Sequence, residues 1–531
     1  NKKGSPMMTN KASIKILYTS DVHGQAMPII YGTNEEADTG LAKYATVVHR
    51  KRQENDHLVV IDNGDLIQGT PFMTHYVKDH SDKENPMVTA MNEIGLDASI
   101  IGNHEFNFGL DMLCSAVKAS RYPWLSANIL DERTGEPYFG KPYILKTFSN
   151  GIKVAIIGVT THFIPHWESP EHIKGLQFAD AYQTLKQWVQ DIHEKEQPHL
   201  LIASYHGGIE RDLETGEPLD KLTGENQAYK MAREIEGIDI LLTGHQHRVL
   251  TGTLRDCLVI QPGSHGNMYG EIDVEFIQKD NHWLILDKQA DVKTLEGIEA
   301  DPVIINKLQS IETSTQSWLN QPIGQIEGDM TIEDPFLLKI TKHPFIELIQ
   351  KIQMEASGAD ISVTSLLNQD SKGFPEIVTM RDVVSNYIYP NTLVVLSLTG
   401  RDIKEAIEQS ATYFILDDDG NITVNPSFLS PKPQHYNYDM WEGIDYTIDV
   451  SKPFGSRVET IYYQGKPLRM ESHYDVVLNN YRASGGGDFD MYKNKPVVKD
   501  IHEDMVTLIS KYFNKHQTVQ ATVTENFVIK A

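Results

Sequence analysis

Cysteine is almost absent from this chain, in which Cys114 and Cys257 are the two cysteines among 531 residues. Neither belongs to a Cys-x-x-Cys pair, which excludes a zinc ribbon and a disulfide framework. We expect two free, buried thiols, and a bridge between them is the alternative that the sequence leaves open.

Long apolar runs are also missing: 40% of the residues are hydrophobic, but no uninterrupted run is long enough to cross a bilayer. We therefore predict that the chain does not span a membrane. Residues 1–8 include basic side chains but no apolar segment, so no signal peptide is visible. We expect a cytoplasmic protein, and the alternative is a periplasmic, cell-wall or secreted protein whose signal has been removed.

Positive charge is scarce, because 48 lysines and arginines stand against 73 aspartates and glutamates, for a net charge of -25. Such a surface repels polyanions, which argues against a nucleic-acid polymer as partner. A small phosphate ester remains compatible, since bound divalent cations dominate the field inside a site. The predicted partner is a small molecule, and the oligomeric state stays open.

What the chain does have is a long alternation of strand-like and helical segments, which favours a layered α/β fold. Its length predicts two or three domains. In the first part we predict helices at 40–55, 86–94, 110–119 and 179–194, and strands at 153–159, 199–203 and 239–242, followed by edge strands near 272–276 and 283–286. The predicted domains are 12–298 and 323–531, joined by a linker helix at 299–322.

The second predicted domain has an alternation of its own. Strands are predicted at 359–364, 393–398, 443–450, 474–478 and 520–529, and helices at 344–357, 380–388 and 400–413.

Five polar clusters each follow an apolar, strand-like run. They are Asp21-Val22-His23-Gly24, Asn63-Gly64-Asp65, Gly102-Asn103-His104-Glu105, Tyr205-His206-Gly207-Gly208 and Gly244-His245-Gln246-His247. Because ligands bind outside the carboxyl ends of strands in open α/β sheets, one sheet edge can gather all five clusters. Their mixed nitrogen and oxygen ligands favour Mn, Zn, Co or Fe over Mg alone.

These side chains suit a pair of divalent cations about 3.5–4 Å apart, an arrangement that hydrolyses phosphoesters. The predicted ligands are a bridging carboxylate, Asp65, one set of Asp21, His23 and His247, and a second set of Asn103, His206 and His245. His104 lies beside a ligand without being one, and we predict that it protonates the leaving alkoxide or stabilises the transition-state charge. Simpler explanations stay open: the aspartates could cap helices, and the histidines could be ordinary loop residues.

The order of these clusters resembles the calcineurin-like metallophosphoesterases, whose blocks run D-x-H, G-D, G-N-H-E, H and G-H-x-H. The resemblance extends along nearly the whole chain to the 5'-nucleotidase type, which adds a second domain that clamps the nucleotide. It implies a four-layer αββα metallophosphoesterase domain and a C-terminal α/β substrate-binding domain, with two divalent metal ions in the first.

Within that superfamily the chain is most similar to the bacterial 2',3'-cyclic-nucleotide 2'-phosphodiesterase/3'-nucleotidase branch. The segments that carry this similarity are 62–71, 102–109, 389–393, 436–439 and 479–483. By resemblance, Tyr438 and Tyr481 would sandwich the base with Asn391 nearby, and the Gly485-Gly486-Gly487-Asp488 turn would let the backbone approach the ligand. The alternative for the two tyrosines is a place in the core.

Two departures from ordinary 5'-nucleotidases stand out. Those enzymes place an aspartate three residues after the histidine, where this chain has Asn107, which stabilises an imidazolium less than a carboxylate does. Their Asn-Gly-Gly-x-x-Arg segment is also missing, and Leu367-Asn368-Gln369-Asp370-Ser371 takes its place. Both departures favour the cyclic-nucleotide and 3'-nucleotide branch.

The leading hypothesis is therefore a metal-dependent phosphohydrolase that opens 2',3'-cyclic nucleotides and then releases phosphate from the 3'-nucleotide. A 5'-nucleotidase or nucleotide-sugar hydrolase on the same scaffold is the alternative enzyme. The alternative of another class is a nucleotide-binding or interaction protein without catalysis, which we would expect to lack a metal ligand, and none is missing.

Overall fold

A computed structural model describes residues 10–219, 221–389 and 391–531. The predictions for residues 1–8, and that part of segment 389–393 which falls on Pro390, lie outside the described residues. The chain divides into two compact units, one ending at Thr313 and one beginning at Ser314. The helix Pro302–Leu319 lies within the predicted linker and runs across this division.

The first unit contains two six-stranded sheets. In spatial order, the strands of the first sheet are His282–Thr294, Met268–Lys279, Lys11–Thr19, Leu58–Asp62, Ala98–Ile100 and Trp124–Leu125. Those of the second sheet are Val249–Leu254, Cys257–Pro262, Ile240–Leu242, Leu200–His206, Lys153–Thr160 and Tyr143–Thr147. In the first sheet the four strands from Lys11–Thr19 to Trp124–Leu125 are parallel, and the antiparallel hairpin of the other two strands closes one edge. In the second sheet the four inner strands are parallel, and an antiparallel strand closes each edge.

The two sheets pack face to face, with side chains such as Ile16 and Ile61 of the first against Ile202 and Ile240 of the second in one buried core. A second core lies between the outer face of the second sheet and the helices Ala181–Glu196 and Ala228–Glu234. The helices Leu41–Glu54, with six buried residues, and Pro86–Ile94 accompany the first sheet. The unit is therefore a four-layer αββα structure, as the resemblance implied.

Predicted and observed elements of this unit agree closely. The helices Pro86–Ile94 and Leu110–Ala119 have the predicted bounds, and the predicted edge strands form one long hairpin. The sequence analysis missed the helices Pro71–Asp79 and Ala228–Glu234, which are nine and seven residues long. Both cysteines are free, but Cys114 is half-buried, whereas Cys257 is buried and burial raises its pKa to about 12.

The second unit is built on a mixed five-stranded sheet. In spatial order its strands are Asp439–Glu442, Ile361–Ser365, His473–Asn479, Leu393–Thr399 and Val497–Ile501. Its longer helices are Pro344–Ser357, Met380–Asn386, Gly400–Ala411 and Met505–His516, and the last of these was not predicted.

Candidate metal centre

All five predicted clusters lie at the carboxyl ends of parallel strands. Three follow strands of the first sheet, which end at Thr19, Asp62 and Ile100. The other two belong to the second sheet, where His206 is the last strand residue and His245 follows a strand ending at Leu242. The expectation of a single sheet edge was too simple, because the face-to-face packing of two sheets brings both sets of strand ends together.

The backbone at these clusters adopts a conformation that non-glycine residues rarely take. The positive φ angles belong to Asp21 (56°), His23 (51°), Asp65 (57°), His245 (72°) and His247 (61°). Left-handed conformations cost free energy and persist where the surrounding structure enforces them, commonly at functional sites. The loops also pack closely on one another, since a Cβ at Gly244 would lie 2.1 Å from Ser20 Oγ and 2.6 Å from Asp21 Oδ2.

Asp21, His23 and His247 form a first group of possible metal ligands, with their ligand atoms all within 4.8 Å of one another. The Nε2 atoms of the two histidines are 3.1 Å apart, and His247 Nε2 lies 3.5 Å from Asp21 Oδ1. That oxygen is buried and accepts no hydrogen bond from the described residues. A buried carboxylate oxygen without a donor, facing two imidazole nitrogens, fits a metal ligand.

Asp65, His206 and His245 form a second group of the same compactness. Asn103 joins it, because its Oδ1 is 3.1 Å from His206 Nε2 and 3.2 Å from His245 Nδ1. Asp65 Oδ2 lies 3.2 Å from His206 Nε2 and 3.9 Å from His23 Nε2 of the first group. Asp65 therefore reaches both groups, as a bridging ligand must.

The electrostatics of the centre favour positive charge. Burial alone would lower the pKa of His206, but the carboxylates of Asp65 and Asp21 raise it to about 10. Burial tends to raise the pKa of both aspartates, yet His206 beside them holds each carboxyl below its ordinary range. The two carboxylates thus stabilise positive charge at this place, and a divalent cation would replace the proton on His206 and leave its ring nitrogen free to bind. Carboxylate, imidazole and amide groups are a donor set that divalent cations such as Mn or Zn fit.

His104 lies next to the centre but belongs to neither ligand group. Its ring centroid is 5.3 Å from that of His23, and its backbone N–H donates to Asp65 Oδ1 at 2.8 Å. Its Nδ1 lies 2.7 Å from Asn107 Oδ1. Asn107 thus occupies the place of the carboxylate in a histidine–aspartate pair, as the sequence comparison with 5'-nucleotidases suggested.

Two buried residues inside the predicted clusters hold the loops of the centre together. The Glu105 carboxylate accepts backbone hydrogen bonds from Asp65, Leu66 and Gly102, at 2.8, 2.5 and 2.8 Å. The Asn63 carbonyl oxygen lies 2.7 Å from His206 Nδ1, which directs Nε2 of that ring towards the centre. The sequence analysis quoted both residues within motifs but gave them no role.

Two further residues surround His245. Glu225 Oε1 lies 2.8 Å from its Nε2, and the Trp167 ring stacks on its imidazole with centroids 5.2 Å apart. A carboxylate on the outer nitrogen of a ligand histidine fixes its tautomer and ring orientation. Neither residue follows a predicted strand, so no signal in the sequence marked it.

In the second unit, Tyr438 does not present a surface to a ligand. Its side chain is fully buried, with its ring centroid 4.9 Å from Phe414 and 5.4 Å from Tyr413, and its hydroxyl donates to the Lys339 carbonyl. A ring enclosed in this way has no open face for stacking on a base. Its burial speaks against the predicted sandwich role and agrees with the core alternative.

The other predicted substrate contacts are more accessible. Tyr481 and Asn391 are half-buried and Asp488 is exposed. Tyr436, two residues before Tyr438, is also half-buried, and its carbonyl accepts a 2.9 Å hydrogen bond from Arg482.

Arg482 thus contacts Tyr436 and directly follows Tyr481 in the sequence. Its guanidinium is held by a buried ion pair with Asp439 at 2.9 Å. The glycine turn packs directly under Tyr481, since a Cβ at Gly486 would lie 2.6 Å from that ring.

None of the helices among the described residues is both long and apolar enough to cross a membrane. Residues 14–249 match the family model for calcineurin-like phosphoesterases. Residues 322–494 match the model for the 5'-nucleotidase C-terminal domain.

Similar proteins cover nearly the whole chain. A solved structure of a putative 5'-nucleotidase from Staphylococcus aureus is 35% identical, with a TM-score of 0.90 over 98% of this chain and 100% of that one. A 2',3'-cyclic-nucleotide 2'-phosphodiesterase/3'-nucleotidase from Yersinia enterocolitica is 27% identical over 89% of this chain and 81% of its own length. The trifunctional nucleotide phosphoesterase protein YfkN of Bacillus subtilis is 28% identical over 97% of this chain, which spans 39% of that relative.

Proposed function

The chain belongs to the calcineurin-like phosphoesterases that carry a 5'-nucleotidase C-terminal domain, a family of metal-dependent hydrolases, and we propose that it converts 2',3'-cyclic nucleotides to nucleosides and phosphate. The observation that carries this proposal is the pair of ligand groups reached by one carboxylate, Asp65, with the non-ligand His104 beside them. One ester bond is cleaved first, giving the 3'-nucleotide, and the remaining phosphomonoester is then hydrolysed.

Two divalent cations, of which Mn, Zn, Co or Fe suit the donors, would be held by seven residues. These are Asp21, His23 and His247 on one side, Asn103, His206 and His245 on the other, and Asp65 between them. When bound, such cations activate a water molecule and neutralise charge on the phosphoryl oxygens.

The protein's own contribution to the reaction centres on His104. Its Nδ1 faces Asn107 Oδ1, so proton transfer to the leaving ribose oxygen falls to Nε2. The same ring is in a position to stabilise negative charge that develops on the phosphoryl group.

The preference for cyclic and 3'-nucleotides is supported by Asn107, which replaces the aspartate of ordinary 5'-nucleotidases. A second function, that of a 5'-nucleotidase, is favoured by the name of the Staphylococcus aureus structure, to which the chain is 35% identical. The two differ in which phosphate ester is cleaved, and product analysis separates them.

The test is to measure phosphate and nucleoside release from 2',3'-cyclic AMP, 3'-AMP and 5'-AMP, with added manganese and with a chelator. Activity on the first two that disappears on chelation is the expected result. Dominant activity on 5'-AMP would assign the chain to the 5'-nucleotidases. No hydrolysis of any of the three with manganese present would overturn the proposal in favour of a binding protein.

For the base, we assign stacking to Tyr481 and Tyr436, because both residues are only half-buried, whereas Tyr438 is fully buried. Replacing either by alanine is expected to raise KM for 3'-AMP about 5–160-fold, since stacking contributes about 1–3 kcal/mol per base. Hydrolysis of p-nitrophenyl phosphate, which has no base, should be unchanged, and tyrosine-to-phenylalanine variants should behave like the wild type. Equal losses on both substrates would contradict the assignment.

A further inference from the structure

A third residue stands behind the pair formed by His104 and Asn107. Glu168 Oε2 accepts a 2.8 Å hydrogen bond from Asn107 Nδ2, and its side chain is only 7% exposed. Its other oxygen, Oε1, lies 2.7 Å from His172 Nδ1 and accepts a 3.0 Å hydrogen bond from the backbone N–H of Ser169. Both oxygens of this carboxylate are therefore engaged, and its position is fixed.

The contact with Glu168 determines which way the Asn107 amide points. A carboxylate only accepts hydrogen bonds, so the NH2 group of Asn107 must face Glu168 and its Oδ1 must face His104. An amide oxygen also only accepts, so His104 Nδ1 must carry the hydrogen of the 2.7 Å contact. The chain of three residues thus places a hydrogen on Nδ1 and fixes the orientation of the ring. The proton that His104 transfers to the leaving oxygen is then the one that Nε2 carries in the imidazolium.

We propose that Glu168 is a positioning residue of the phosphohydrolase site, which locks the Asn107 amide and thereby holds His104 with Nε2 directed to the substrate. The inference rests on the proposed function. In a histidine–aspartate pair, one carboxylate orients the imidazole ring and also places a negative charge next to it. Here two residues share these roles. Neutral Asn107 contacts the ring, and the negative charge lies on Glu168, which contacts Asn107 instead of the ring.

A purely structural role for Glu168 makes different predictions. Its Oε1 contacts could serve only to anchor the short helix Pro170–Ile173. In that case a substitution of Glu168 would change kcat by the same factor whether residue 107 is asparagine or aspartate. If Glu168 instead orients the Asn107 amide, the effects of the two substitutions depend on each other. A variant with the carboxylate at position 107 and the amide at position 168 should then recover activity.

The exchange uses four variants. In Glu168→Ala the Asn107 amide loses its constraint, and we expect kcat for 3'-AMP to fall at least tenfold while KM changes less than threefold. In Asn107→Asp two carboxylates meet at the 2.8 Å contact, and we expect a similar loss. In the double variant Asn107→Asp/Glu168→Gln the glutamine NH2 donates to the new carboxylate, which again accepts from His104, and we expect at least tenfold recovery over Asn107→Asp. Glu171→Gln, an exposed glutamate in the same helix, is the control and should match the wild type.

A readout independent of activity is the imidazole nitrogen chemical shifts of His104 in the metal-free full chain, assigned with His104→Ala. The wild type should show the form with hydrogen on Nδ1, and Glu168→Ala should lose it while keeping its melting temperature within a few degrees.

The inference would be overturned if the wild type is active and Glu168→Ala changes neither kcat nor these chemical shifts. It would also be overturned if the double variant is no more active than Asn107→Asp. If the wild type hydrolyses no phosphoester but the shifts still depend on Glu168, the proposed function fails and the positioning of His104 stands.

Discussion

At the residue scale, the roles of His104 and Asp65 are separable. His104→Ala removes the proposed proton donor, which belongs to neither ligand group, so we expect unchanged metal content and a loss of about 10²–10⁴-fold in kcat. Asp65→Asn changes the carboxylate that we propose bridges the two ligand groups, so we expect loss of metal as well as rate. Metal content by elemental analysis and kcat with 3'-AMP test both, and Asp56→Asn, on the exposed surface, is the control. Normal turnover by His104→Ala would refute its assignment as the proton donor.

Glu105 has a structural role that can be tested in the same way. Its removal in Glu105→Ala leaves three buried backbone N–H groups without their acceptor, each costing about 1–3 kcal/mol. We therefore expect the melting temperature of the first unit to fall by several degrees. Metal affinity should also fall, because Asp65 and Asn103 lie in the loops that Glu105 connects. An unchanged melting temperature would show that water or another group satisfies these donors.

The grouping of the proposed metal ligands could be predicted because each lies in a short motif directly after an apolar strand. The surrounding residues could not, since their partners are distant in sequence: Glu168 lies 61 residues from Asn107. Tyr438 shows a different limit, because the segment Tyr436-Asn437-Tyr438-Asp439 offers two tyrosines. Tyr436 lies in the 3-10 helix His435–Asn437 and Tyr438 follows it, and only the packing with Phe414 shows which of the two tyrosines is buried.

At the scale of elements, residues that begin or end a helix explain which helix bounds could be predicted. The helix Pro86–Ile94 begins with proline, is capped by the Asn85 side chain and ends at Gly95 with φ 83°. Proline at the first turn and glycine after the last are the usual signals. The predicted strand 443–450 was wrong in extent, because Gly443, with φ 91°, separates Asp439–Glu442 from Tyr446–Asp449, which pair in different sheets.

The short helix Pro335–Ile340 contains a buried cation, Lys339, whose burial lowers its pKa to about 8. Its Nζ donates to the Pro335 carbonyl and to Gln369 Oε1, both at 3.2 Å. In the unfolded chain the pKa of a lysine side chain is about 10.4. Between about pH 8 and ~10.4 the unfolded state therefore binds more protons, so the stability of the second unit rises with pH in this window.

Lys339→Met tests this prediction, because it removes the charge and keeps most of the side-chain volume. Below pH 8 the buried charge costs about 3 kcal/mol, partly offset by its two hydrogen bonds, so we expect the variant to be about 1–3 kcal/mol more stable than the wild type at pH 7. The difference should shrink towards pH 10. Denaturant unfolding at a series of pH values measures it, with exposed Lys404→Met as the control. A difference that does not vary with pH would refute a low pKa for Lys339.

At the scale of the whole molecule, the proposed metal ligands and the aromatic residues proposed to bind the base belong to different units, each with its own core. The four αββα layers of the first unit could be expected from the resemblance, and its alternation of strands and helices was visible directly. The small sheets of the second unit could not be predicted from the sequence, since they join short strands far apart in sequence, such as Pro322–Glu327 with Thr518–Gln520.

This division predicts that metal ions stabilise one unit and not the other. All seven proposed ligands lie before Thr313, so binding adds RT ln(1 + [L]/Kd) to the stability of the first unit, about 2.7 kcal/mol at a hundredfold excess over Kd. For a unit of about 310 residues the gain corresponds to roughly 4 °C. Calorimetry of the full chain should therefore show two transitions, of which a chelator lowers only one.

Two variants identify these transitions. Asp65→Asn should abolish the response of the metal-sensitive transition to the chelator, because it lacks the carboxylate shared by both ligand groups. Lys339→Met should shift the other transition at pH 7 and leave the metal-sensitive one in place. A single transition that moves as a whole with metal, and in which both variants act, would show that the two cores unfold together despite their separate packing.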